Sequence, residues 1–100
     1  MTELVSYQEY KKLYYSDKVS IVELYTPWCS KCKILKSQLK AQLKSQLKDN
    51  DVYYLNIDSD EFIDQCEFTS ISGVPQVWII SKEKINMICN PTIENILSSI

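Results

Sequence analysis

Cys29 and Cys32 are the residues of this sequence best suited to chemistry, because two residues separate them where two local patterns meet. Residues 19–25 are β-branched and largely apolar, which indicates a buried strand. The residues after Cys29 carry a leucine at every fourth position to about residue 48, which indicates a helix. The first-turn amides and positive dipole end of such a helix favour a thiolate over a thiol. The pair is therefore predicted to be a redox-active dithiol.

The composition excludes several other kinds of site and partner. The chain has 100 residues and no histidine, so it has no Cys–His nucleophile, no imidazole base and no imidazole metal ligand. Its net charge of -2 argues against a dedicated nucleic-acid binder. A hydrophobic content of 45% is typical of folded chains. We therefore expect a single domain over residues 1–100, with no nucleic-acid partner.

A structural zinc site is the alternative use of the two neighbouring cysteines. Tetrahedral zinc needs four ligands, and only Cys66 and Cys89 remain to complete the set. These two lie far apart in the sequence and on different predicted elements. We expect no metal site, and no bound cofactor beyond the redox-active Cys29–Cys32 disulfide itself.

Cysteine usage and the absence of long apolar segments predict the compartment. Small secreted scaffolds usually carry a higher cysteine density, and a secretory leader has a basic and then an apolar region. Residues 1–6 show no such pattern, and no stretch approaches the roughly 18 apolar residues that cross a membrane. We expect a soluble cytoplasmic monomer without membrane contact.

The hydrophobic periodicity predicts an element order of β-α-β-α-β-α-β-β-α, an α/β fold. Its central mixed sheet would have four to five strands and helices on both faces. Ser6 and Glu9 form a predicted capping box for the first helix. Because a four-residue spacing drifts by about 40° per step around a helix, the end of the leucine stripe is expected to be partly exposed. The remaining predicted elements are a strand at 2–5, a strand at 52–57, a short helix at 62–68, strands at 76–80 and 85–89 joined by a turn at 81–84, and a helix opened by Pro91 with Ile93, Ile96, Leu97 and Ile100 on its inner face.

Three segments together make the chain resemble the thioredoxin family over nearly its whole length. They are Trp-Cys-Ser-Lys-Cys-Lys at 28–33, Leu-Asn-Ile-Asp at 55–58 and Gly-Val-Pro at 73–75. The resemblance implies a thioredoxin-like fold and a cis Val74–Pro75 bond lying against the dithiol. It also implies exchange of protein disulfides, with electrons supplied by a thioredoxin reductase or by glutathione.

The sequence departs from the family pattern at several positions near the dithiol. Each departure is able to alter the redox potential or the choice of substrate without removing the dithiol. They are Ser30-Lys31 in place of Gly-Pro, Glu23 in place of a buried aspartate, Tyr54 in place of a lysine, Ser37 near the place of a helix-kinking proline, and Cys89-Asn90 where a glycine is usual.

Each of three residues has a predicted catalytic role. Cys29, partly exposed at the helix start, is the nucleophile that forms a mixed disulfide. Cys32, buried and less acidic, is the resolving thiol one helical turn later. Glu23, with its proton affinity raised by burial, is the candidate base for the Cys32 proton. The alternative is that Glu23 points outward to solvent.

The residues around the dithiol have predicted supporting roles. Ser30 and Lys31 tune the Cys29 thiolate; the lysine cation stabilises it and makes the couple more oxidising than about -270 mV, the value of thioredoxin. Val74 offers its backbone N–H and C=O to an extended substrate segment, and Pro75 presents an apolar face to the sulfurs. Trp28 and Tyr25 form an apolar rim around the dithiol; the alternative is that either of them is a simple core residue.

The leading functional hypothesis is a thiol–disulfide oxidoreductase that acts on disulfide-containing protein substrates. One alternative is a glutaredoxin-like, glutathione-dependent enzyme; Trp28 and the lack of a Gly-Gly/Asp-Asp pattern after Pro75 argue against it. Another is a thioredoxin-fold module that only binds a partner around Pro75. Cys66 and Cys89 are expected to be buried structural cysteines, with a regulatory thiol at Cys66 as the alternative.

Overall fold

The computed structural model describes residues 1–43, 47, 52–71 and 73–100 of the chain. The described residues contain five strands in one mixed sheet of order β1-β3-β2-β4-β5. β1, β2 and β3 run parallel, whereas β4 is antiparallel to β2 and β5. This confirms the predicted α/β class and the sheet of four to five strands. The element bounds are β1 Thr2–Glu3, α1 Tyr7–Tyr15, β2 Ser20–Tyr25, α2 Ser30–Gln42, β3 Val52–Asn56, α3 Cys66–Thr69, β4 Gln76–Ser81, β5 Lys84–Cys89 and α4 Ile93–Ser98.

The central strand β2 is buried on both faces, as its apolar run predicts. Its alternating side chains enter two separate cores. Val22 and Leu24 belong to the core that also contains Tyr10, Phe68 and Trp78. Ile21 faces the other side of the sheet, in a core built mainly by α2, α4 and the sheet: Leu35, Leu39, Leu47, Val52, Val77, Ile79 and Ile96. Position 23 has the same parity as Ile21, so it faces the α2 side.

The first helix begins as its capping pattern predicts. The Ser6 side chain accepts a hydrogen bond from the Glu9 amide at 3.2 Å. The Glu9 carboxylate accepts one from the amide of Val5 at 3.3 Å, one residue before the cap. The Ser6 side chain thereby satisfies one orphan amide of the helix, and the Glu9 carboxylate satisfies the amide of the residue before the cap.

The active-site helix α2 is shorter than its leucine spacing predicts. It ends at Gln42 with Leu43 as its cap, and the predicted continuation over 44–46 and 48 lies outside the described residues. Partial exposure of the stripe's end is confirmed at Leu43, which is half-buried, but is wrong at Leu47, which is buried. Because α2 ends at Gln42, the drift of the leucine stripe around that helix does not determine where Leu47 points.

The helix predicted over residues 62–68 is mostly wrong, since α3 comprises only Cys66–Thr69. Turns occupy residues 57–64 instead. The side chain of Asn56 accepts from the Asp58 amide at 2.9 Å, and that of Ser59 accepts from the Glu61 amide at 3.3 Å. These local bonds offer the backbone an alternative to a helical hydrogen-bond ladder. Phe62 is nevertheless fully buried, as its apolar character suggests.

The β4–β5 hairpin is confirmed although it lacks glycine. Lys82 and Glu83 both adopt positive φ, 51° and 62°, the backbone that a two-residue hairpin turn requires. Their amides donate to the carbonyls of Ser16 and Tyr14 at 2.9 and 2.8 Å. The end of α1 thus holds the turn in place of glycine's conformational freedom.

The last helix begins at Ile93, two residues later than predicted. Thr92 is the N-cap and accepts from the Asn95 amide at 3.1 Å, so Pro91 precedes the helix instead of opening it. Ile96 is fully buried, and Ile93 and Leu97 pack around it. Ile100 is exposed, contrary to the prediction, because α4 ends at Ser98 and no longer orients it inward.

Candidate active site

The two cysteines form a disulfide at the start of α2. Their Cα atoms are 5.3 Å apart, and Cys29 is the N-cap residue of the helix. The Sγ atom of Cys29 accepts a hydrogen bond from the Cys32 amide at 3.1 Å. The amide of Cys29 donates to the carbonyl of Thr26 at 3.2 Å, closing the turn that links β2 to the helix. The sulfur of Cys29 therefore sits where backbone amides and the helix dipole stabilise negative charge.

The two sulfur-bearing residues differ in exposure. Cys29 exposes 7% of its surface and Cys32 exposes 2%. The greater exposure of Cys29 agrees with an attacking role for Cys29 and a resolving role for Cys32, and the predicted burial of Cys32 is confirmed. Cys29 is less exposed than predicted, because its sulfur is bonded to Cys32 and turned onto the end of the helix.

The first turn of α2 carries cations and no anions. Ser30 is the first helical residue, Lys31 follows it, and both are exposed. No acidic residue lies in this turn. The charge balance therefore favours an anion on Cys29 once the disulfide is reduced. The tuning roles of Ser30 and Lys31 stay predictions.

Glu23 is buried directly beneath this helix. It exposes 1% of its surface and lies opposite Tyr54 on β3 and Val77 on β4. Among the described residues, neither carboxylate oxygen has a hydrogen-bond partner. Burial raises the pKa of Glu23 to about 8, and the positive charge of Lys36 opposes that rise. The predicted burial of Glu23 is confirmed, while its role as a base stays a prediction.

The Val74–Pro75 peptide bond is cis, as the resemblance implies. Pro75 and Lys31 line one cavity of about 250 Å³, together with Ile34, Leu35, Gln38, Asn90 and Pro91. Val74 and Trp28 line a second cavity of about 350 Å³, together with Thr26, Ile57, Asp58, Ile71 and Gly73. The dithiol turn and the segment from Gly73 to Pro75 therefore run side by side, with a cavity on each side of the turn. Both Val74 and Pro75 are half-buried and remain accessible to a substrate.

Trp28 lies on the surface beside the dithiol, with 75% of its area exposed. Its indole N–H donates to the Asp58 carboxylate at 3.4 Å. Its exposure excludes the alternative that Trp28 is a core residue. Tyr25 behaves differently, because its hydroxyl donates to Glu3 on β1 at 2.6 Å and its ring packs on Tyr54. Tyr25 thus belongs to the β1 edge of the sheet and not to a rim around the sulfurs.

Asp58 and Lys36 are site residues that the sequence interpretation missed. Asp58 follows the carboxyl end of β3, and Trp28 follows that of the parallel neighbour β2. Because parallel strands end at the same sheet edge, the Leu-Asn-Ile-Asp segment contained a usable signal for this contact. Lys36 lies one turn after Cys32 on α2, but only the packing of α2 on β3 brings it near Glu23.

Asn90 lies in the Cys89-Asn90 segment, where the resemblance implies a glycine, and it adopts a backbone conformation that favours glycine. Asn90 has a φ of 51°, the left-handed conformation that asparagine tolerates better than most residues. It lines the same cavity as Pro75 and Lys31. Asparagine at position 90 therefore adds a polar side chain to the cavity beside Pro75. The backbone keeps a conformation that glycine would also adopt.

The expectation that Cys66 and Cys89 are buried is wrong, since both are free and exposed. Cys66 begins the short helix α3, which directs Phe68 inward instead. Cys89 ends the edge strand β5, next to the inward-facing Ile88. Among the described residues, no group of three or more cysteine, aspartate or glutamate side chains is arranged to hold a metal ion. None of the described helices is long and apolar enough to cross a membrane.

Comparisons with known proteins agree with this geometry. The family model described as Thioredoxin matches residues 2–98. The chain is 32% identical over 62 residues to "Probable protein disulfide-isomerase A6" of Medicago sativa, a match covering 62% of this chain and 17% of that protein. The chain thus spans about a sixth of the length of this curated relative.

Solved structures show the same fold. The chain is similar to the thioredoxin Mala s 13 of Malassezia sympodialis, with a TM-score of 0.80 at 16% identity over 98% of this chain and 88% of that one. It is also similar to oxidized mitochondrial thioredoxin 3 of Saccharomyces cerevisiae, with a TM-score of 0.76 at 20% identity over 100% of this chain and 95% of that one.

A disulfide closed across one turn of a helix start, beside a cis-proline segment on this sheet, defines a domain of the thiol–disulfide oxidoreductase class. More particularly, the chain belongs to the thioredoxin family.

Proposed function

We propose that this protein reduces or exchanges disulfides of other proteins through Cys29 and Cys32. The observation that carries the proposal is the Cys29–Cys32 disulfide at the N-terminus of α2, flanked by the cis Val74–Pro75 segment. A pair that closes to a disulfide within one helical turn is able to hold two electrons and release them together. The neighbouring cavities leave room for an extended substrate segment.

Reduction begins with the dithiol form of the enzyme. The Cys29 thiolate attacks one sulfur of the substrate disulfide, a new S–S bond forms, and the other substrate sulfur leaves as a thiolate. The Cys32 thiolate then attacks the Cys29 sulfur and releases the second substrate sulfur. The substrate gains two electrons, and the enzyme ends with the Cys29–Cys32 disulfide of the structure.

Glu23 is the proposed acceptor of the Cys32 proton in the second attack. It is buried beneath α2, on the sheet face that this helix covers, and its carboxylate has no hydrogen-bond partner among the described residues. A carboxyl group with a pKa of about 8 exchanges protons with a thiol at little energetic cost, because the two proton affinities are similar. Proton transfer either directly or through one water is compatible with this role.

Electrons for the next cycle come, in this proposal, from a flavin-dependent thioredoxin reductase that uses NADPH, or from glutathione. The relative from Medicago sativa is named a protein disulfide-isomerase, so exchange between protein disulfides is the related activity. No bound cofactor is required, because the cysteine pair itself carries the electrons.

We further propose that the protein acts as a monomer in a reducing compartment, the cytoplasm. The support is chemical: Cys66 and Cys89 are both free and exposed. Thiols of this kind persist where cellular reductants keep them reduced. In an oxidising compartment such thiols are prone to pair with those of other chains.

Insulin reduction tests the proposed function directly. The purified protein is assayed with NADPH and thioredoxin reductase, and separately with glutathione and glutathione reductase. We expect turnover with one donor system and none in the Cys29→Ser variant. A Cys29→Ser protein that retained full activity in the cell would show instead that the fold serves as a binding module.

A further inference from the structure

Lys36 extends from α2 over the ring of Tyr54. Its Nζ atom lies 3.6 Å from the ring centroid, which is the geometry of a cation–π contact. Tyr54 is the residue directly opposite Glu23 on the neighbouring parallel strand. The aromatic ring therefore holds a positive charge beside the buried carboxyl group.

Among the residues that the structure describes, the other elements packed around Glu23 supply no second cation. β2 contributes the hydroxyl of Tyr25, which donates to the carboxylate of Glu3 on β1. β3 contributes Tyr54, which pairs with both Glu3 and Glu23, and β4 contributes the apolar Val77. Besides Lys36, α2 contributes Cys32, which does not titrate in the disulfide form. Within the described part of the chain, the positive charge of Lys36 lowers the pKa of Glu23 and so opposes the effect of burial.

We propose that Lys36, seated on the ring of Tyr54, is a positioning residue that sets the protonation of Glu23 and thereby the pH range in which Cys32 resolves the mixed disulfide. This inference rests on the proposed function of the Cys29–Cys32 pair. Lys36 touches neither substrate nor sulfur in the proposal, and it acts only through the charge state of Glu23.

The electrostatic reason is the burial of Glu23. Desolvation favours its neutral form, and a nearby cation offsets part of that effect. With a pKa of about 8, about one molecule in ten carries the carboxylate at pH 7. Removing the positive charge of Lys36 is expected to raise the pKa of Glu23 further, by about one unit, so the reactive carboxylate would fall about tenfold.

The ring of Tyr54 fixes the position of the Lys36 ammonium group. A lysine side chain on a helix surface has several rotamers, and holding one of them costs conformational entropy. Contact with an aromatic face offsets that cost and orients the ammonium group towards β3. Lys40 lies one turn further along α2 and is exposed. Within the described residues, Lys36 and not Lys40 lies on the Tyr54 ring and opposes the raised pKa of Glu23, so Lys40 provides a matched control.

The first test is a titration of the Glu23 side-chain carboxyl by NMR in the oxidised protein, in which neither Cys29 nor Cys32 titrates. We expect the titration midpoint of Glu23 to rise by about one pH unit in Lys36→Gln. It should rise by less in Tyr54→Leu, where Lys36 keeps its charge but loses the cation–π contact. Lys36→Arg should restore the wild-type midpoint, and Lys40→Gln should leave it unchanged.

The second test is the rate of mixed-disulfide resolution against pH, measured in single-turnover reduction of insulin. We expect the acidic limb of the rate–pH profile to shift to higher pH in Lys36→Gln, by the same number of pH units as the NMR midpoint. A merely structural role of Lys36 would change rate or folding without displacing the pH profile.

The outcomes distinguish the two proposals. An unchanged Glu23 midpoint in Lys36→Gln, or a displaced midpoint with an unmoved rate profile, overturns the role of Lys36 and leaves the oxidoreductase function standing. A wild-type protein that reduces no disulfide at any pH overturns the proposed function and the role of Lys36 with it.

Discussion

The indole N–H of Trp28 donates to the carboxylate of Asp58 at 3.4 Å, joining the turn before the dithiol to the turn after β3. Trp28 is largely exposed, and this hydrogen bond restrains its ring weakly. The ring lines a cavity beside the cis Val74–Pro75 bond. Asp58 therefore helps to orient an apolar surface that a substrate would contact.

Removing the Asp58 carboxylate should weaken substrate binding. In Asp58→Ala we expect KM for insulin to rise about threefold, because a long, exposed hydrogen bond is worth well under 1 kcal/mol. Asp60→Ala is the matched control, since Asp60 is an exposed acidic residue two positions along, whereas the Trp28 indole donates to Asp58. Equal KM values for the two variants would contradict this role for Asp58.

The order of attack predicts different behaviour of the two single-cysteine variants. Cys32→Ser should accumulate a mixed disulfide with substrate, because Cys29 still attacks but nothing displaces it. Cys29→Ser should accumulate far less, since Cys32 exposes only 2% of its surface. Mass spectrometry of the trapped complexes measures both. Preferential trapping through Cys32 would reverse the assignment of nucleophile and resolving thiol.

The cation of Lys31 should raise the redox potential of the pair. Lys31 is exposed on the first turn of α2, so solvent screens its attraction for the Cys29 thiolate. We expect a wild-type potential above about -270 mV and a fall of about 10 mV in Lys31→Met. Equilibration with glutathione buffers gives the potential, and Lys40→Met should not change it. A wild-type potential at or below that of thioredoxin would contradict the prediction.

Burial of Glu23 predicts an unusual dependence of stability on pH. Its pKa is about 8 in the folded protein against an ordinary value of 4.5, so the folded state retains a proton that the unfolded state releases. The contribution of this group to stability is therefore fully present below pH 4.5, decreases as the pH rises, and is lost above about pH 8.

Glu23→Gln removes that dependence, because the amide does not titrate. In the oxidised form we expect the variant and the wild type to have similar free energies of unfolding near pH 4, and the variant to be more stable by about 3 kcal/mol at pH 7. Denaturant unfolding at several pH values measures the difference. A difference that stays constant from pH 4 to pH 8 would exclude the raised pKa.

The two free cysteines should be dispensable for turnover. Cys66 and Cys89 are exposed, and neither is bonded to the dithiol. The double variant Cys66→Ser/Cys89→Ser should reduce insulin at the wild-type rate. In the native oxidised wild type, a thiol reagent should label both residues rapidly and neither Cys29 nor Cys32. Loss of activity in the double variant would reveal a role that the geometry does not suggest.

Local sequence patterns predicted the strands and the position of the dithiol well. The β-branched run before Cys29 and the alternation of apolar residues determine which segments can be buried, and such patterns act over a few residues. The same patterns overestimated the length of the helix before Cys66. Hydrogen bonds from Asn56 and Ser59 side chains to nearby amides formed turns there, and propensity alone does not weigh them against a helix.

The sequence by itself determined that two cysteines stand one turn apart at a helix start, because strand, turn and helix signals all lie within about thirty residues of the chain. Only the tertiary structure decided which charges meet Glu23. Lys36 and Tyr54 belong to different elements, and their contact depends on how α2 packs across β3. Electrostatic interactions act through space at a strength that burial controls, so the protonation of a buried carboxyl group follows from packing and not from its neighbours in the chain.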